Sequence, residues 1–339
     1  MKQKIRQEMY QDMKQKVRQE MYQDMIMPKE SLKKEALSAF CEEWSSPANG
    51  GSTNIRCFYV YPGIVLKRNC VHAPAIAIPR EENYSRLKMN FCLNGRCEVP
   101  IDETHFVYLE PSRINFDLRQ PEQGCIFPGG FYEGLELIID LPALEKSLPA
   151  VLTEFGIDVP QEVRRLAAKN GSRVFTANDS LKQSCNHIYT ALSDDSTVPT
   201  LQEGRFYAVN LLYHALHCGA DSADRTRYVS AKQRRMAVAA HRYLLEHEEH
   251  PCSVLDLAKQ FDVSATALEN CFQAVYGAPI HVYLQNRRMD KARSLLEGTA
   301  LPVSEIARMA GYSHPGKFAA AFRKRTGMTP LEYRRNHAE

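Results

Sequence analysis

The chain has 339 residues, of which 44% are hydrophobic and 24% are charged, the balance of a soluble globular protein. This length predicts two domains, and no apolar run is long enough to span a membrane. The polar start MKQKIRQEMYQD lacks the apolar core of a secretory signal. Residues 230–339 hold 16 Lys and Arg against 11 Asp and Glu, whereas the remaining residues hold 27 against 29. This basic last third indicates a module that binds a polyanion.

Residues 1–24 are a tandem duplication, in which MKQKIRQEMYQD is followed by MKQKVRQEMYQD. Twelve residues turn a helix by roughly 1200°, so two helical copies would present their apolar residues on different faces. A long coiled-coil seam, which needs a period of about 3.5 residues, is therefore not expected. We interpret residues 1–27 as a duplicated leader. It is either a recent duplication of no structural importance or an extension upstream of a later start at Met13, Met25 or Met27.

Residues 55–140 have the pattern of β-strands. Short stretches rich in β-branched and aromatic residues, such as IRCFYVYPGIVLKR and GLELIID, are separated by Gly, Pro, Asn or Asp. The Asn94-Gly95 pair predicts a two-residue hairpin turn, and many short strands favour a small barrel or sandwich. A barrel mouth would offer a ligand pocket. Its candidate lining residues, for most of which barrel core is the alternative, are Tyr59, Tyr61, Phe91, Phe106, Tyr108 and Phe116.

Residues 141–218 have apolar residues every three or four positions, the pattern of amphipathic helices. These helices are expected to pack on the barrel or on a second subunit. The stretch GADSADRTRYVS is polar and has no period, which indicates an interdomain linker. The predicted organisation is a first domain at 28–219, a linker at 220–231 and a helical domain at 232–339.

Two parts of the helical domain, 253–277 and 303–327, repeat one pattern. In each, an amphipathic helix is followed by a tight turn and a second helix, as in a helix-turn-helix. Matched residues of the two copies are 49 positions apart as far as Ser313 and 50 positions apart from Phe318 onward. The second copy therefore has one extra residue within 314–317. Joined by a helix at 280–298, the two units are expected to enter successive major grooves about 34 Å apart. The matched pairs are Leu257/Ile306, Ala258/Ala307, Ser264/Ser313, Leu268/Phe318, Phe272/Phe322 and Gly277/Gly327.

The connecting helix of the form YLxxxRMxxARxLL and the ending GYSHPGKFAAAFRKRTGMTPLEYRR carry a family pattern. Over about residues 232–335 the chain resembles the AraC/XylS family of bacterial transcription regulators. The strand-rich front is similar to the sensor half of that family. The resemblance implies an α+β chain, with an N-terminal β-barrel or cupin-like sensor domain with appended helices. An all-α domain with two helix-turn-helix units joined by a long helix would follow. Within the family, VYGAPIHVYLQNRRM and GYSHPGKFAAAF are most similar to the siderophore-responsive branch.

The resemblance implies a cytoplasmic, sequence-specific DNA-binding regulator, expected to be an activator. Its domain at 28–219 would sense a small-molecule effector, for which a ferric siderophore is the candidate, and would mediate dimerisation. The implied partners are double-stranded DNA, RNA polymerase, the effector and a second copy of the chain, with no membrane. One alternative is a ligand-independent architectural DNA-binding protein. Another is a cupin-type enzyme fused to a DNA-binding domain, which is disfavoured because the strand region holds only His72 and His105, far apart.

Candidate DNA-contacting residues lie on the outer faces of the second helix of each unit. Where the family usually has basic residues, this chain has Asn270, Gln273 and Ala320, so phosphate attraction is expected from the second unit and its flanks, including Arg325, Arg334 and Arg335. Asn and Gln can pair with adenine, and Glu269 could accept from cytosine. Ser264 and Ser313 are also expected to cap helices. The full candidate set is Ser264, Ala265, Thr266, Ala267, Asn270, Gln273, Ser313, His314, Gly316, Lys317, Ala320, Arg323 and Lys324.

Other chemistry-bearing groups carry weak signals. His214, His217 and Cys218 could share a helix face for a metal, and Cys92 and Cys97 could face each other or a metal, but burial is the favoured interpretation. His241, His247 and His250 are interpreted as surface residues at a helix end. The chain has no nucleophile-elbow, P-loop or dinucleotide glycine pattern. No catalytic residue, metal or cofactor is therefore expected.

Overall fold

The structure, a computed structural model, describes residues 26–27, 32–48, 51–77, 81, 83–120, 124–218, 227–247 and 253–337. The duplication at 1–24 lies outside the described residues. Two compact units divide the chain, one ending at Ala239 and the other beginning at Ala240.

An eight-stranded sheet dominates the first unit. Its order is β13-β10-β7-β12-β5-β4-β3-β2, and every neighbouring pair is antiparallel. Two three-stranded sheets, β1-β6-β11 and β14-β9-β8, accompany it. The strands are β1 (Ile26–Met27), β2 (Lys33–Ala36), β3 (Cys41–Ala48), β4 (Gly51–Tyr61), β5 (Ile64–Val71), β6 (Ala75–Ile76), β7 (Arg86–Gly95), β8 (Cys97–Pro100), β9 (His105–Leu109), β10 (Arg113–Asp117), β11 (Cys125–Ile126), β12 (Tyr132–Asp140), β13 (Ser172–Thr176) and β14 (Val229–Ser230).

The large sheet is open, because β2 and β13 each pair with a single neighbour among the described strands. The expected closed barrel is therefore wrong in that detail, although the mixed α+β class holds. The hairpin predicted at Asn94-Gly95 is also wrong, because β7 lies in the large sheet and β8 pairs with β9. Gly95 has φ 76°, and a Cβ there would lie 2.2 Å from the carbonyl oxygen of Phe131. The glycine is needed where the chain leaves one sheet for another.

One face of the large sheet is apolar. Alternate residues of its central strands, such as Leu66, Met89 and Leu137, are at most 1% exposed and form one core with the helices of the unit. Phe91 and Phe116 belong to this core, so they do not line a pocket. These two are core residues, as the alternative interpretation expected, although the core belongs to an open sheet and not to a barrel.

The opposite face of the sheet is polar at its centre. Lys67 of β5 lies beside Glu136 of β12, with an Nζ–Oε2 distance of 3.4 Å, and both side chains are largely shielded from solvent. Asn90 of β7 follows in the same row and accepts a hydrogen bond from the hydroxyl of Tyr132 at 2.6 Å. Polar residues at alternate strand positions thus converge on one face.

Four helices of the first unit begin at side-chain caps. Asp140, Asp158, Asn178 and Thr200 each accept a hydrogen bond from a backbone amide in the first turn of the helix that follows. The division between the units falls within the last helix in this series. The helices are α1 (Leu141–Lys146), α2 (Ala150–Glu154), α3 (Val159–Ala167), α4 (Asp179–Ser193), α5 (Leu201–His217) and α6 (Ala231–Glu246).

The second unit is helical throughout its described residues. Its longest helix, α9, contributes Met289, Ala292 and Leu296 to a core with α10, α11 and α12. The helices are α7 (Val254–Gln260), α8 (Ala265–Tyr276), α9 (Ile280–Gly298), α10 (Val303–Met309), α11 (Pro315–Thr326) and α12 (Pro330–His337).

Candidate nucleic-acid interface

Helices α7 and α8 form the first helix-turn-helix unit. Ser253 and Ser264 cap them, since each hydroxyl accepts a hydrogen bond from the amide three residues on, at 3.2 and 3.1 Å. In the turn, Asp262 has φ 54°, a left-handed conformation that non-glycine residues rarely adopt. Gly277 ends α8 with φ 82°. The expected cap at Ser264 is confirmed.

Helices α10 and α11 repeat this arrangement with differences in the turn and at the helix caps. Gly311, with φ 78°, takes the place of Asp262 in the turn. Helix α11 begins at Pro315, and its N-cap residue His314 makes no side-chain cap hydrogen bond. The expected cap at Ser313 is therefore wrong, because the extra residue of the second copy separates this serine from the helix. Gly327 ends α11 with φ 79°.

The repeated apolar residues are the cores of the two units. Leu268, Phe272, Phe318 and Phe322 are all 0% exposed. Residues four apart lie on one side of a helix, so each second helix buries one side and leaves the other outward. We call α8 and α11 the reading helices.

The candidate DNA-contacting residues lie mostly on these outward sides. On α8, Thr266, Asn270 and Gln273 are exposed and spaced by four and three residues, whereas Ala265 and Ala267 are half-buried. The remaining candidates are exposed, and they are Ser264, Ser313, His314, Gly316, Lys317, Ala320, Arg323 and Lys324. Their contact with DNA stays a prediction.

The two reading helices differ in charge. Glu269 is the single charged residue of α8, whereas α11 carries Lys317 and the run Arg323-Lys324-Arg325 with no acidic residue. The basic run occupies the last turn of α11, where the carbonyl end of the helix dipole favours positive charge. Positive charge is thus concentrated on the second reading helix.

Two charged residues on the reading helices have partners within the unit. Glu269 Oε2 accepts a hydrogen bond from the backbone amide of Ile280 at 3.0 Å. Arg325 donates to both carboxylate oxygens of Asp290, at 3.0 and 3.2 Å, and to Asn286. Neither contact could be predicted from local sequence, because the partners lie 11 and 35 residues away.

His241 is packed inside the second unit, so its interpretation as a surface residue is wrong. Its ring stacks on Tyr276 at 4.4 Å between centroids, and its Nε2 lies 2.7 Å from the hydroxyl of Tyr283. Burial, with a smaller contribution from the charge of Arg287, lowers the pKa of His241 to about 4. The ring is therefore neutral at physiological pH and supports the core around Phe272.

His217 and Cys218, two of the candidate metal ligands, make hydrogen bonds within the first unit. The Nδ1 of His217 lies 2.8 Å from the carbonyl oxygen of Tyr213, and Cys218 is buried and accepts from the amide of Asn178. In the part of the chain that the structure describes, no three potential ligands gather into a metal-binding group. None of the described helices is both long and apolar enough to cross a membrane.

Comparison with known proteins identifies the class of the second unit. A family model described as a helix-turn-helix domain matches residues 257–336. The xylose operon regulatory protein of Escherichia coli K12 is 32% identical over 102 residues, covering 30% of this chain and 26% of that protein. The uncharacterised regulator YisR of Bacillus subtilis is 33% identical over 106 residues, 31% of this chain and 37% of that protein. The chain thus matches well under half the length of these curated relatives.

Solved structures match part of the chain. An AraC-type regulator from Chromobacterium violaceum is 28% identical, with a TM-score of 0.29, covering 32% of this chain and 97% of that one. The C-terminal domain of AraT from Geobacillus stearothermophilus is 30% identical, with a TM-score of 0.29, covering 31% of this chain and 87% of that one. On the sequence matches, the second unit is an AraC-type helix-turn-helix domain.

Proposed function

We propose that the chain is a transcription regulator that binds DNA sequence-specifically through two successive major grooves. The duplicated helix-turn-helix carries this proposal, since two capped reading helices with outward polar residues share one connecting helix. A reading helix enters the major groove with its outward side, and two such helices read half-sites about one turn, roughly 34 Å, apart. Double-stranded DNA is the proposed partner, and the bacterial cytoplasm, which the sequence resemblance implies, is the proposed location.

The two reading helices would differ in the parts of the DNA that they contact. Lys317, Arg323 and Lys324 of α11 would contact phosphates, which would strengthen binding at every sequence. The amides of Asn270 and Gln273 on α8 can each pair with adenine, and the methyl of Ala320 can contact thymine. Base selectivity would thus come mainly from α8, and affinity mainly from α11.

The first unit would sense a small-molecule effector. The polar row of Lys67, Glu136 and Asn90 on one face of the open sheet offers charged and hydrogen-bonding groups of the kind that orient a ligand. A ferric siderophore is our candidate effector, and activation our candidate response, both from the sequence resemblance.

Effector binding would be coupled to DNA binding through residues 229–234. Val229–Ser230 pair with β9, and Arg234 Nε donates to Glu98 Oε2 at 2.7 Å. Glu98 also accepts from the hydroxyl of Tyr108, and its side chain is only 4% exposed. The other side of β8 contributes Cys97 and Val99 to an apolar cluster. A ligand that moved β8 would therefore disturb the start of α6 as well.

A second copy of the chain and RNA polymerase complete the proposed partners. Phe155, Phe206 and Tyr213 are 54%, 65% and 38% exposed on the helices of the first unit. Aromatic residues are enriched at interfaces between proteins, so this surface supports homodimerisation. RNA polymerase is proposed because an activator acts by recruiting it.

Selection of genomic DNA fragments by the purified full chain, followed by footprinting, tests the proposal. We expect protection of two neighbouring major grooves on one face of the duplex. Protection of one groove would contradict the double reader, and selection of nothing even at low salt would contradict DNA binding. Thermal unfolding with candidate effectors separates a sensor from an architectural protein, because a ligand of the folded state raises the melting temperature.

A further inference from the structure

The connecting helix α9 lacks a cap of its own. Its N-cap residue is Pro279, which makes no side-chain cap hydrogen bond. The first amide of the helix, that of Ile280, instead donates to Glu269 of α8 at 3.0 Å. A carboxylate at this end satisfies an unpaired amide and lies at the positive end of the helix dipole. The first reading helix is thereby tied to the start of the connecting helix.

The second reading helix is tied to the middle of the same helix. Arg325 of α11 donates to both oxygens of Asp290, and its other nitrogen donates to Asn286. This forked geometry fixes direction as well as distance. Asp290 follows Ile280 by ten residues, so the two polar ties are about 15 Å apart along α9.

Apolar packing alone would leave each reading helix some freedom to shift on α9. The contacts there are broad, such as Phe272 on Tyr283 at 5.4 Å between ring centroids and Phe322 in the cluster around Met289. Such contacts are non-directional. Hydrogen bonds have a preferred geometry, so Glu269 and Arg325 select one arrangement of the reading helices.

We propose that Glu269 and Arg325 are positioning residues that set the separation of the two reading helices, and through it the spacing of the two DNA half-sites. This inference rests on the proposed function. Neither side chain then reads a base or holds a phosphate. A reading helix that could shift on α9 would accept half-sites at altered spacing, so loss of either tie should broaden the spacing that the protein tolerates.

The Arg325 tie is tested with the full chain and a DNA fragment that it selects. Spacer variants of the fragment carry one base pair more or fewer between the protected grooves. We expect Arg325→Asp to weaken binding to the original fragment about tenfold and to reduce discrimination against the altered spacers. Asp290→Arg combined with Arg325→Asp should restore both properties, because the pair is re-formed with its charges exchanged.

The salt dependence of binding separates positioning from phosphate contact. Arg325→Ala should leave the slope of log affinity against log salt unchanged. Lys324→Ala, the neighbouring control, should reduce that slope by about 1. Arg325 and Asp290 are 36% and 53% exposed, and surface pairs contribute little to folding, so these variants should fold.

Glu269 is tested by comparing alanine with glutamine. Glu269→Ala should weaken binding to all single-base variants of the fragment alike and widen spacer tolerance. Glu269→Gln keeps an oxygen that can accept from the amide of Ile280. It should therefore retain more of the affinity for the fragment and more of the discrimination against altered spacers.

Besides an unchanged spacer tolerance, three results would overturn the inference. They are a flatter salt slope for Arg325→Ala, no restoration in the charge exchange, and a preference relaxed at one base by Glu269→Ala. If the full chain selects no DNA, the proposed function fails and this inference fails with it. If DNA is selected but spacer tolerance is unchanged in the variants, the inference alone fails.

Discussion

Helices α8 and α11 end alike, at glycines with φ of 82° and 79°, and bury Phe272 and Phe322 at equivalent positions. Their outward sides differ, because α8 presents Thr266, Asn270 and Gln273 while α11 presents four cationic residues. The duplication has preserved the residues that fold each unit and exchanged those that face outward. Folding and recognition thus rest on separate sets of residues in the same twelve-residue helix.

The largest expected effect tests whether the two cores are equivalent. Phe272→Ala and Phe322→Ala should each lower the free energy of unfolding by about 3–5 kcal/mol, through lost burial and a cavity. Denaturant unfolding followed by circular dichroism measures this loss. Leu331→Ala is the control, since Leu331 is 60% exposed. A loss under about 1 kcal/mol for one phenylalanine alone would mean that the units are not equally built.

Acid should distinguish the two helix-turn-helix units, because His241 packs against Phe272 of the first of them. Its pKa of about 4 lies below the ordinary 6.5, so between these values the unfolded chain binds a proton that the folded chain does not. Stability is therefore lost as pH falls, by about 2 kcal/mol from pH 7 to pH 5. His241→Phe should remove this pH dependence in denaturant unfolding of the second unit. An equally steep dependence in the variant would assign it to other groups.

Base discrimination should depend on α8. Asn270→Ala should relax preference at one base pair, by about 1–2 kcal/mol if the amide pairs with adenine. Binding to a panel of single-base variants of a selected fragment measures this. Uniform weakening across the panel would place Asn270 on the DNA backbone.

The smallest expected effect concerns the cations of α11. Replacing Lys317 and Arg323 by alanine should reduce the salt slope by about 2, with little change in base preference. Titrations at several salt concentrations measure the slope, and Asn270→Ala is the matched control that should leave it unchanged. A slope that stays the same would remove both cations from the phosphate interface.

The sequence was informative where local signals and the repeat coincided. Helix caps at Ser253 and Ser264, the helix ends at Gly277 and Gly327, and the buried phenylalanines all follow from residues within one or two turns of each other. The repeat also revealed the extra residue before α11, although not that it removes Ser313 from the cap.

Features that depend on distant partners could not be predicted. The Asn94-Gly95 pair has the local chemistry of a hairpin, but pairing with β12 and β9 sends its two strands to different sheets. Glu269 and Arg325 resemble DNA-contacting residues by position, and only the fold reveals their partners on α9. His241 likewise resembles a surface histidine until Tyr276 and Tyr283 are placed around it.

The pairing of β14 with β9 bears on how the protein can be divided. A fragment of the first unit that ended before Val229 would leave the backbone amides and carbonyls of β9 open along one side. Such an uncovered strand is a template for pairing with other chains, and so for aggregation. A fragment that ran to Ala239 would keep its own protecting strand. A soluble fragment of the first unit should therefore include Val229 and Ser230, which the sequence analysis assigns to the linker at 220–231.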